Sequence, residues 1–117
     1  MQIKYFLGKT KIVQKERLEM EKNFNKLEKF LGMDGQNALC EVEIARDKKG
    51  FWRMEVNLKT PRASFRAEES GLVLLDLSDV VENSLKRQIK KNKDKKADLR
   101  REQSINGKKA LLKGENF

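Results

Sequence analysis

Side chains able to hold a polyanion crowd one stretch of this chain. Between Ser84 and Arg101 the sequence reads S-L-K-R-Q-I-K-K-N-K-D-K-K-A-D-L-R-R, nine Lys or Arg against Asp94 and Asp98. That is a net of +7 in a chain whose total is +9, and residues 1–83, with fifteen basic and fourteen acidic side chains, are close to neutral. The basicity is therefore a pole, and ammonium and guanidinium groups at this density neutralise phosphates. A second, thinner set sits earlier. Lys15, Lys22, Lys26 and Lys29 recur at helical spacing, two positions out of step with an apolar stripe. Two residues turn a helix by about 200°, so these lysines face away from the core. Taken alone, that stripe reads equally as a solvated surface.

Other chemistries are poorly supplied. The chain has no histidine and a single cysteine, Cys40, which removes the usual His/Cys transition-metal sites and any Ser-His or Cys-His catalytic pair. Glycines do not fall at Walker or Rossmann spacing. The carboxylates mostly stand beside lysines, as on a solvated helix. No enzyme and no cofactor are expected. Cys40 cannot form an internal disulfide, and the opening run Ile3–Leu7 is interrupted by Lys4 and too short for export or a membrane span. A reducing, cytoplasmic setting fits, with no membrane partner and no small-molecule substrate.

The elements that must carry these charges follow from periodicity. At 117 residues and 38% hydrophobic, the chain can bury one modest core. Ile3, Tyr5 and Leu7 alternate with Gln2, Lys4 and Phe6, a first strand ending at Gly8. Val13, Met20, Phe24, Leu27 and Leu31 then mark one face of a helix, which Gly32 and Gly35 end. Period two returns with Ala38, Cys40, Val42 and Ile44 inward. Asp47-Lys48-Lys49-Gly50 makes a hairpin connection into a strand with Trp52, Met54, Val56 and Leu58 inward. Pro61 turns the chain again, and Ala63, Phe65 and Ala67 form a last inward face. Ser70 is expected to cap a closing helix, Leu72 to about Arg101. Its core stripe is Leu74, Leu77, Val81, Leu85 and Ile89, and its length of about 45 Å would carry the basic end beyond the domain. Residues 97–117 show no sustained periodicity and are expected to form a mobile, basic tail.

The fold class is thus α+β, in the order β-α-β-β-β-α. A right-handed crossover makes the first two strands parallel. Two hairpins leave the fourth strand parallel to the second, so both helices run the same way, side by side on the packed face of a four-stranded sheet.

Several segments resemble a known family: I-x-Y-x-x-G-K near the start, L-E-K-F at Leu27–Phe30, F-R-A-E-E-S at Phe65–Ser70, and L-K-R-Q-I-K-K-N-K-D-K at Leu85–Lys95. Together, over about residues 2–96, they are similar to the ribosome hibernation promoting factors. That family includes ribosome-associated inhibitor A and the sigma-factor modulation proteins, and this chain looks like a short form. The resemblance implies a domain over 1–96, of the same β-α-β-β-β-α fold. It implies binding to small-subunit ribosomal RNA, in the tRNA and mRNA channel, which silences idle ribosomes. The RNA contacts it implies are Lys22, Lys26 and Lys29 on the first helix and Lys86, Arg87, Lys90, Lys91 and Lys93 on the second, with Arg62 and Arg66 on the strand side. Off the ribosome the protein is expected to be a monomer. Two features depart from the family pattern. The last helix opens with G-L-V-L-L-D where an aromatic and an acidic pair is usual, and Ser78 and Glu82 stand where small or aliphatic residues are common. The same charges would also serve a general RNA or DNA binding protein. A transcription-modulating interaction module, with the lysines as a solubility face, is the reading from a different class.

Overall fold

The computed structural model describes the backbone of residues 1–113 and the side chains of residues 1–94. Its elements are β1 (Gln2–Phe6), α1 (Gln14–Leu31), a 3-10 segment (Gly32–Asn37), β2 (Leu39–Arg46), β3 (Trp52–Lys59), β4 (Ser64–Gly71) and α2 (Leu74–Lys113). The strands form one sheet in the order β1-β2-β3-β4. β1 pairs with β2 in parallel, and the two remaining pairings are antiparallel. This is the α+β order expected from the pattern.

Register explains why alternation is enough to define the packed face. Ile3 pairs with Cys40, Cys40 with Leu58, and Leu58 with Phe65, so four inward side chains fall in one row across the sheet. Tyr5, Val42, Val56 and Ala67 make the next row. Because side chains alternate with period two, a slip of one residue would turn every row to water. Both helices cover this face. Met20, Phe24 and Leu27 of α1 and Val81 and Leu85 of α2 are fully buried against it. Burying side chains of this size is worth about 1.5–3 kcal/mol each, which is what holds two helices with charged outer faces to the sheet. Cys40 lies in the same core, where burial pushes its thiol up to about 12. It stays protonated at neutral pH and behaves as a small apolar residue.

The connections are local chemistry. Asp47 Oδ1 accepts from the backbone N–H of Lys49 and of Phe51, both at 2.9 Å, while Gly50 takes φ +90°. At the next turn the Thr60 hydroxyl donates to the Ala63 carbonyl at 2.7 Å and accepts from its N–H at 3.0 Å. α1 ends at Gly32, whose φ of +63° is open to glycine with little cost. Gly35 is needed for space: a Cβ there would lie 2.7 Å from the Glu28 carbonyl oxygen.

Two sequence expectations fail locally. Val13 is not on the core stripe; it is the residue before α1, 61% exposed, and its N–H donates to Glu16 Oε1 at 3.3 Å. Ser70 does not cap α2. It lies in β4 opposite Arg53, because pairing with β3 runs on to Gly71 opposite Trp52, and the helix begins only at Leu74. Ladder bonds outweigh the local preference of a serine for a helix cap. At its other end α2 runs past Arg101 to Lys113.

β1 and β4 are the sheet's edges. At β4, Gln88 of α2 covers one rung of the unpaired backbone. Its side-chain Nε2 donates to the Arg66 carbonyl at 2.8 Å, and its Oε1 accepts from the Arg66 N–H at 3.3 Å. No described helix is long and apolar enough to cross a membrane. Side chains of the 97–117 segment lie outside the described residues.

Candidate nucleic-acid interface

α1 and α2 run in the same direction, and two contacts set their alignment. Asn23 Nδ2 donates to Ser78 Oγ at 3.1 Å and to Asp79 Oδ1 at 2.8 Å. Near the other end of α1, Lys86 Nζ lies 5.3 Å from the centre of the Phe30 ring. Lys26 falls between Asn23 and Phe30 at three- and four-residue spacing, which puts it along the same seam with α2. The lysine stripe of α1 and the basic stretch of α2 thus belong to one surface.

The two departures from the family pattern at Ser78 and Glu82 are absorbed at this seam. Ser78 is fully buried and is the acceptor for Asn23. Glu82 is 5% exposed, and Lys86, one turn on, reaches its Oε1 at 2.8 Å. The ammonium stands at ion-pair distance without hydrogen-bond alignment, and that oxygen has no other partner among the described residues. Lys86 is therefore partly structural. Its change to glutamine is expected to destabilise the fold by about 1–3 kcal/mol, since it strands a buried carboxylate. Adding Glu82→Gln should recover most of that stability. Thermal unfolding of the single and double variants checks this, and a single variant as stable as the parent would remove Lys86 from the fold's support.

The other helix cations are differently placed. Lys22, Lys26, Lys29, Arg87, Lys90, Lys91 and Lys93 are all exposed. Among the described residues, no carboxylate comes within 4.0 Å of any of them. The far side of the sheet behaves in the opposite way. Arg53 contacts Glu68 at 2.6 Å and Glu55 at 3.2 Å, Arg66 contacts Glu55 at 3.0 Å and Glu68 at 3.4 Å, and Lys59 contacts Glu41 at 2.6 Å. The Arg53 guanidinium, donating to Glu68, holds that carboxyl below its usual range. Such exposed pairs add little stability, but they cancel the positive charge of that face. Arg62, in the β3–β4 turn, stands 3.6 Å from Asp34.

The structure thus brings Lys22, Lys26, Lys29, Lys86, Arg87, Lys90, Lys91 and Lys93 onto the two-helix side. It leaves Arg66 within the ion-pair network of the opposite face. Charge alone passes over Phe30, and the L-E-K-F motif includes it without giving it a surface role. Phe30 is 44% exposed beside the α2 lysines, and a signal does exist: an aromatic one position before Leu31, out of phase with the core stripe. The Asn23 contacts have no such signal, because they join residues far apart in the chain. Glu82 and Lys86 stand four residues apart on one helix, but that spacing does not show that Glu82 is buried.

A neutral sheet carrying an uncompensated cationic pair of parallel helices defines a class of α+β platforms suited to anionic surfaces. The chain belongs to the family described as Sigma 54 modulation protein / S30EA ribosomal protein, which it matches over residues 9–97. Solved structures that share the fold include the following two. The N-terminal domain of Protein Y from Thermus thermophilus has 23% sequence identity and a TM-score of 0.67, over 78% of this chain and 98% of that one. A ribosomal subunit interface protein from Coxiella burnetii has 17% identity and a TM-score of 0.68, over 80% of this chain and 99% of that one. No curated protein matches the sequence.

Proposed function

We propose that this protein is a ribosome-binding translation inhibitor that acts by occupation. It docks through the α1–α2 face onto small-subunit ribosomal RNA, in the tRNA and mRNA channel, and silences idle ribosomes. One observation carries the reading. Seven exposed helix cations, Lys22, Lys26, Lys29, Arg87, Lys90, Lys91 and Lys93, have no described carboxylate partner, while Arg53, Lys59 and Arg66 of the sheet are paired. The two-helix side thus holds a set of cations able to take phosphates. Family membership supports the same partner, as does the subunit-interface protein from Coxiella burnetii. Phosphate contacts position a protein without reading sequence, and the shape of an RNA cleft supplies the choice of site. No turnover is involved, and neither cofactor nor metal takes part. The protein works in the cytoplasm, as a monomer off the ribosome, with residues 97–117 as a basic extension of a domain over 1–96.

Translation in a reconstituted system tests this. Inhibition should rise with added protein and saturate near one protein per ribosome. Strong inhibition at a small fraction of that ratio would indicate a catalyst and end the occupation mechanism. A general RNA or DNA binder would instead leave ribosomal particles in a sedimentation gradient and follow free nucleic acid.

A further inference from the structure

The seam between the helices holds more than charge. Toward the C-terminal end of α1 a groove of about 220 Å³ opens between α1 and α2, lined by Phe30, Lys86, Arg87, Ile89, Lys90 and Lys93. Its apolar surface comes chiefly from Phe30, 44% exposed, and from the methylene stems of the surrounding cations, since Ile89 beneath is only 2% exposed. Four cations surround that apolar patch, and Lys86 is already held against the ring at 5.3 Å. The aromatics Phe24, Trp52 and Phe65 are buried, so Phe30 is set apart from the core aromatics.

We propose that this groove is a stacking site for one unpaired RNA nucleotide. Its base lies against Phe30, and its flanking phosphates lie on Arg87, Lys90 and Lys93. The chemistry chooses the occupant. An apolar floor calls for a flat or greasy group, and a ring of cations calls for negative charge close on either side. An unpaired nucleotide presents both. A duplex keeps its base faces stacked internally and offers phosphates alone. An apolar protein side chain would fill the floor and leave the cations without counter-charge.

The inference rests on the α1–α2 face being the RNA-binding surface, and the test separates the two. Binding of a short, unstructured single-stranded RNA and of a blunt duplex of the same length is measured for the parent protein, Phe30→Ala and Phe30→Leu. Removal of the aromatic platform should weaken single-strand binding roughly 5- to 100-fold. Duplex binding should stay within about twofold of the parent, because the phosphate contacts remain. Phe30→Leu keeps an apolar side chain against the core while deleting the ring, so it carries the test if the alanine variant does not fold. Equal weakening on both RNAs, or no weakening on either, overturns the stacking site while leaving the charged face intact. A parent protein that binds neither RNA overturns the RNA-binding face along with the stacking site. Weaker ribosome binding in Phe30→Leu without any change on single-stranded RNA would assign the groove to a protein side chain and overturn the proposal.

Discussion

Changing Arg87, Lys90, Lys91 and Lys93 to glutamine is expected to lower ribosome affinity roughly a thousandfold while leaving the fold intact. Hydrogen bonds to charged groups contribute about 1.5–3 kcal/mol each, and four such bonds, reduced by non-additivity and screening, still amount to several powers of ten. The fold should tolerate the change because all four side chains are exposed and glutamine has nearly the helix propensity of lysine and arginine. Lys86 is kept out of this variant because it stands 2.8 Å from the buried Glu82. Ribosome co-sedimentation over a range of salt, with thermal unfolding alongside, gives the reading. Each phosphate left without its cation should also flatten the log–log salt dependence, by roughly 0.7–0.9 on simple nucleic acids and by a different amount on magnesium-rich ribosomal RNA. A folded variant that still sediments with ribosomes at parental strength would mean that the binding surface is the opposite face of the sheet, around Arg53, Lys59 and Arg66.

The second large effect is on stability. Phe24 is fully buried between α1 and the sheet, and Phe24→Ala should cost about 3–5 kcal/mol. A small domain has roughly 5–15 kcal/mol in total, so the variant should be marginal or unfolded at about 37 °C, a temperature at which stability is already below its maximum. Trp52 is the chain's single tryptophan and is 8% exposed, so its emission reports the transition directly. Trp52→Ala should also destabilise, but less. Trp52 sits at the start of β3, with the Arg46 guanidinium 4.7 Å over its ring, where truncation opens toward solvent instead of leaving a closed void. A Phe24→Ala protein with the parent's denaturation midpoint would show that the two helices are not held by this core.

What can be read in the sequence is whatever depends on period and on apolar content. The inward residues of β2, β3 and β4 and the stripe Leu74–Ile89 are all legible, because burial on one face imposes a pattern that no other arrangement satisfies. The end of α1 is legible because Gly32 supplies a backbone conformation that other residues resist. Helix starts are not: Val13 fits the stripe by spacing yet lies outside the helix, and Ser70 is drawn into β4 by its partner strand. The site is half legible. Charge density marks the α2 cations, and phase marks those of α1. That Arg66 is neutralised depends on Glu55 and Glu68 meeting it across and along the strands, and that Lys86 is part of the fold depends on Glu82 being buried. Neither follows from counting charges.

The amide of Gln88 on the Arg66 backbone has a consequence for how copies of this protein meet one another. An exposed edge strand is a template onto which another chain can add, and outward-facing N–H and C=O groups fall on alternate residues along it. In β4, Ser64–Gly71, one of those few positions is occupied from within the same molecule. An incoming strand would have to skip that position or displace the glutamine. Growth of a continuous intermolecular ladder from the β4 edge is thereby interrupted at Arg66.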